Sequence, residues 1–153
     1  MDDILLKKLE KKLKYQFQDK NLLKRALTHK TYAFEAKTPI EYNERLEFLG
    51  DSLIGFVVAE ELYKSNKYFS EGELTRRRST IVNNSFLAER AEKLGLGKYL
   101  FLGKGEIKQK GEKNSTNLAN ALEALIGAVY LDSDLNTVCY FVKNNIFDEK
   151  IKF

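Results

Sequence analysis

The sequence predicts an all-α domain built as a helical bundle. Apolar residues recur at three- and four-residue spacing along most of the chain, with no sustained strand-type alternation. Helix starts are marked by Asp19 and by Ser70 with Glu73. Helix stops are marked by Gly95 and Gly97. With 153 residues, 43% apolar and 31% charged, residues 1–153 suit one compact domain.

Taken in order, the first expected helix is 2–14, with Leu5, Leu6, Leu9 and Leu13 on one stripe. Asp19 caps a second helix carrying Leu22, Leu23, Ala26 and Leu27. Residues 33–42 hold the single proline, Pro39, and read as a loop. A long helix follows over 43–64. Ser70 and Glu73 form a capping box that opens a helix to about Val82. Another helix covers 85–94. Residues 103–116, rich in glycine and lysine, read as a mobile loop. A strongly apolar helix spans 116–131, and a last one 134–147.

Composition excludes several classes of function. The single cysteine, Cys139, rules out an internal disulfide and a cysteine-built zinc site. The single histidine, His29, rules out a histidine-rich metal centre. Any metal site must use oxygen ligands, the chemistry of Mg²⁺ or Mn²⁺. No apolar stretch is long enough to span a bilayer, so no membrane partner is expected. Met1 leads straight into Asp2 and Asp3 without a signal-like apolar core, which implies a cytoplasmic protein. The net charge of +4 permits a polyanionic partner without requiring one.

Glycines inside helices need compensation, because each costs about 1 kcal/mol relative to alanine. Gly50, Gly55 and Gly127 therefore predict tight crossing of the long helix with the late apolar one. Glu44, Glu47 and Asp51 share a face of the long helix: at 100° per residue, Asp51 lies about 20° behind Glu44. On the apolar helix, Asn120 and Glu123 share a face at i, i+3 spacing. If the helices cross near Gly50 and Gly127, these oxygens pool into a Mg²⁺-type site able to support phosphodiester hydrolysis. Spacing alone also admits an ordinary run of solvated acids near a helix start.

Four separate segments add a resemblance. Asn43-Glu44-Arg45-Leu46-Glu47-Phe48-Leu49-Gly50-Asp51-Ser52 resembles the signature of the ribonuclease III family. Ala26-Leu27-Thr28-His29-Lys30-Thr31-Tyr32 is similar to the family's early segment, and Glu71 to Asn83 resembles its middle helix. Leu118-Ala119-Asn120-Ala121-Leu122-Glu123-Ala124-Leu125-Ile126-Gly127-Ala128 looks like its second acidic motif. The resemblance implies an all-helical endonuclease domain. It would work as a homodimer on double-stranded RNA, each of two symmetry-related sites cutting one strand to leave 5′-phosphate and 3′-hydroxyl ends. Carried over, the catalytic and metal-binding set is Glu47, Asp51, Asn120 and Glu123, with Mg²⁺ as cofactor and Mn²⁺ as substitute. Glu44 and Glu71 would be further acids of the cleft. Phe48 matches the aromatic that seats in the partner subunit. Without the resemblance, Phe48 would read as core packing.

Two departures stand out. The family carries aspartate where this chain has Asn120, a neutral carbonyl donor in place of a carboxylate. That implies weakened or blocked cleavage. An engineered substitution, a weakly active natural variant and a non-cutting RNA binder all fit. Bacterial members also continue into a double-stranded-RNA-binding domain, for which this length leaves no room. The alternative function is a non-catalytic dimeric RNA-binding or ribosome-associated scaffold on the same fold. A helical hydrolase of small phosphate esters is a more distant third. Arg76, Arg77 and Arg78, with Lys104, Lys108 and Lys110, are candidate phosphate contacts, or simply a solvated surface. His29 reads as a hydrogen-bonded packing residue.

Overall fold

A computed structural model describes residues 3–147, 151 and 153. The helices are α1 (Asp3–Leu13), α2 (Lys20–Leu27), α3 (Lys30–Glu35), α4 (Glu44–Ser65), α5 (Glu71–Ile81), α6 (Asn84–Lys93), α7 (Lys104–Lys108), α8 (Ser115–Asp132) and α9 (Leu135–Asn145). Single 3₁₀ turns occupy Leu96–Tyr99 and Gly111–Lys113. Among the described residues there is no strand, only an isolated parallel bridge between Thr28 and Phe101. None of the described helices is long and apolar enough to cross a membrane.

The core forms around α8. Ten of its residues are buried, Leu118 to Val129 with few interruptions. A helix apolar on nearly every side must be surrounded, and α4, α6, α2 and α9 pack around it. The caps act as expected from the residues. Asp19 accepts the Asn21 N–H at the start of α2. The Ser70–Glu73 box is reciprocal: Ser70 Oγ accepts the Glu73 N–H at 3.2 Å, and Glu73 accepts the Ser70 N–H at 3.1 Å. Asp132, at the end of α8, accepts the Gln18 and Asp19 N–H groups and the Tyr15 hydroxyl, tying the α1–α2 connection to the core.

Three expectations need correction. The predicted 33–42 loop starts later, because α3 runs to Glu35; His29 caps that helix, its Nδ1 facing the Thr31 N–H and, at 2.8 Å, the Thr31 hydroxyl. The segment 103–116 is largely structured, as α7 and a 3₁₀ turn. Two of its glycines serve close approach: a Cβ on Gly103 would lie 2.8 Å from the Thr31 carbonyl oxygen, and one on Gly111 2.9 Å from that of Glu106. Glu35 accepts the Lys104 N–H at 2.9 Å, and Asn117 donates to Glu106 and to the Gly111 carbonyl. Lastly, nothing lies within 4 Å of a Cβ built on Gly55, so that glycine meets no described helix of its own chain.

Candidate active site

The site rests on the contact of α4 with α8. A Cβ on Gly50 would stand 1.8 Å from the Glu123 carbonyl oxygen, and one on Gly127 would stand 2.4 Å from that of Leu46. Only glycine permits backbones this close. Glu47 and Asp51 flank Gly50 on α4, so the crossing brings both beside Glu123.

Electrostatics reports the same convergence. Burial pushes the Glu123 carboxyl up to about 7, and the charges of Asp51 and Glu47 push in the same direction. Glu47 is also raised, by burial first, then by Glu44 and Asp51, while Lys30 opposes the shift. Lys30 Nζ lies 3.0 Å from Glu44 Oε1. Asn120 is half-buried one turn before Glu123. The donors are all oxygen, with three carboxylates and one amide, a set suited to a hard divalent cation. Among the described residues no three acidic, histidine or cysteine side chains are close enough to enclose an ion.

The other predicted residues fall in different places. Glu44 is exposed at the first position of α4. Glu71 is exposed on α5, where it accepts the Thr75 hydroxyl at 2.8 Å, and it is not among the charges acting on Glu47 or Glu123. Arg77 stacks over the Phe69 ring, 4.0 Å from guanidinium carbon to centroid. Arg76 and Arg78 are exposed, as are Lys104, Lys108 and Lys110 on the α7 segment. Phe48 is 79% exposed, which rules out core packing for it. It borders an open groove of about 550 Å³ lined also by Arg25, Arg45, Leu49 and Leu131. Sequence reasoning missed Lys30. It lies inside the early motif, but no spacing rule links it to Glu44, fourteen positions later.

Residues 19–150 match the family model described as Ribonuclease-III-like. The chain belongs to the ribonuclease-III-like family. It is 48% identical over 138 residues to ribonuclease 3 of Buchnera aphidicola from Acyrthosiphon pisum, covering 90% of this chain and 58% of that one. Ribonuclease 3 of Vibrio vulnificus is 49% identical, covering 91% of this chain and 59% of its own. The chain thus spans less than two thirds of these curated relatives. The nuclease domain of ribonuclease III from Campylobacter jejuni superposes with a TM-score of 0.88 at 36% identity, covering 100% of this chain and 99% of that one. A second structure of that domain, described as flexible in a region involved in dimer formation, gives 0.82 at 37% identity, with 90% and 96% coverage.

Proposed function

We propose that residues 1–153 form a nuclease domain that cuts double-stranded RNA as a homodimer in the cytoplasm, with its rate reduced by Asn120. The observation that carries this reading is the Gly50–Gly127 crossing, which gathers Glu47, Asp51 and Glu123 on one side of two packed helices. Family membership and the ribonuclease relatives support it.

Glu47, Asp51 and Glu123 would hold divalent metal, with Asn120 offering its side-chain carbonyl. Mg²⁺, or Mn²⁺ in its place, would supply activation of a water and neutralisation of the leaving oxygen in such a pocket. In the hydrolysis, the water oxygen joins phosphorus, the bond to the 3′ oxygen breaks, and a proton from the water ends on that 3′ oxygen. The products carry 5′-phosphate and 3′-hydroxyl ends. Asn120 withholds one negative charge, so metal affinity and rate both fall. Glu44, whose charge acts on Glu47, would belong to the acidic wall of the cleft, and Glu71 would join it on the strength of the family resemblance alone, since its charge acts on neither Glu47 nor Glu123. Arg76, Arg78 and the lysines of α7 face solvent and can meet phosphates, and Arg77 contributes less because its guanidinium is stacked. A-form RNA is read by backbone and shape, so little sequence preference is expected.

The deciding experiment incubates the protein and its Asn120→Asp variant with long duplex RNA and Mg²⁺. The aspartate variant is expected to cut at least ~10-fold faster, about 1.4 kcal/mol of barrier. Cleavage by neither protein would remove the enzyme reading and leave the non-cutting RNA binder.

A further inference from the structure

Lys30 is a basic group at the edge of the acidic site, paired with Glu44 and opposing the shift at Glu47. Its backbone is fixed on several sides. The Asn43 N–H donates to the Thr28 carbonyl at 2.9 Å, pinning the start of α4 beside the start of α3. The His29 N–H donates to the Phe101 carbonyl at 3.0 Å, and the His29 ring caps α3. From that fixed point the Lys30 side chain, half-exposed, reaches Glu44, itself half-exposed. The Lys30 charge opposes the upward shift at Glu47, while the charges felt by Glu123 are those of Asp51 and Glu47. A polyanionic duplex approaching these carboxylates meets Lys30 at Glu44, with Arg25 and Arg45 on the groove that Glu44 also lines.

We propose that Lys30 contacts a backbone phosphate of the duplex at the mouth of the acidic pocket, and that Glu44 is its resting partner, displaced when RNA arrives. The proposal rests on the duplex-cutting reading above and adds a residue to it. Exposed ion pairs contribute little to stability, so exchanging Glu44 for a phosphate costs little. Each lysine–phosphate contact releases counterions, which makes it visible in the salt dependence of binding.

The test measures binding of a labelled duplex RNA in EDTA, where no cleavage occurs, over a series of KCl concentrations. Wild type is compared with Lys30→Gln, Lys30→Arg, Glu44→Gln and, as a charge control, Lys37→Gln. Lys30→Gln is expected to weaken binding about 5- to 10-fold and to reduce the log–log salt slope by about 0.7–0.9. Lys30→Arg should restore most of the loss, and Glu44→Gln should tighten binding. If Lys30 served only to hold Glu44, breaking the pair from either side would shift binding the same way. That outcome overturns the proposal, as does a loss at Lys30 no larger than at Lys37. Wild-type protein that binds no duplex in EDTA and cuts none with Mg²⁺ would instead fail the functional reading itself. Wild type that binds and cuts, with Lys30→Gln indistinguishable from it, would fail this proposal alone.

Discussion

Glu123 is a carboxyl whose environment resists its charge. Its ionisation in the folded chain occurs near 7, well above that of an unfolded glutamate, because it is buried and faces Asp51 and Glu47. A raised carboxyl pKa stabilises the fold fully below about pH 4.5, and that contribution is lost as pH rises through about 7. In EDTA, therefore, the protein should lose stability between pH 5 and 8. Glu123→Gln should flatten that slope and gain ~1 kcal/mol at pH 8, a figure discounted because the carboxyl keeps part of its solvent. Thermal melts of both proteins at the two pH values check this. An unchanged slope in the variant would mean Glu123 is solvated and not pooled with the other acids. The face shared by Glu47 and Asp51 was legible in spacing, and so was that of Asn120 and Glu123. What spacing could not supply was Lys30, whose neighbour is set by a backbone hydrogen bond between residues 28 and 43.

Among the helices, α4 and α8 carry the structure of the site. Their crossing was legible because glycine weakens a helix interior and is compensated where a second backbone comes close. Gly50→Ala puts a methyl group into the Glu123 backbone, where neither helix can yield without moving the other. We expect ~3 kcal/mol of destabilisation and a melting midpoint roughly 6–12 °C lower. Activity should fall further than the lost stability accounts for, since Glu47 and Asp51 move relative to Glu123. A midpoint within about 2 °C of wild type, roughly 1 kcal/mol or less, would contradict the close approach. The α7 segment was illegible for the opposite reason. Its glycines and lysines have the composition of a loop, and its order comes from distant partners: Glu35 capping Lys104, Thr31 receiving Gly103, and Asn117 latching Glu106. The pairings of α3 with α7 join residues about seventy positions apart and leave no periodic trace.

At the scale of the whole molecule, α4 leaves several large aromatic side chains exposed. Phe48, Phe56 and Tyr63 are 79%, 48% and 75% exposed, and Leu131 of α8 adds to the same region at the Phe48 groove. Apolar surface of this kind is what the proposed homodimer would cover. Gly55 lies seven residues after Phe48, hence on the same helical face. Nothing within the described chain accounts for its missing side chain, yet that gap would let the helix of a second copy approach, as Gly50 does for α8. An isologous pair across this face repeats every contact twice, so a single substitution acts at two places. Phe48→Ala should therefore turn a dimer into a monomer at micromolar concentration: two buried aromatic anchors at ~2 kcal/mol each amount to roughly a thousand-fold in dissociation constant. Gly55→Ala should weaken the dimer while leaving the melting midpoint of the monomer no lower. Sedimentation velocity over a concentration series reads both. Wild-type protein that sediments as a monomer even at about 100 μM, where an interface of this size should be closed, would sink the dimer. A Gly55→Ala protein as dimeric as wild type would detach that glycine from the interface.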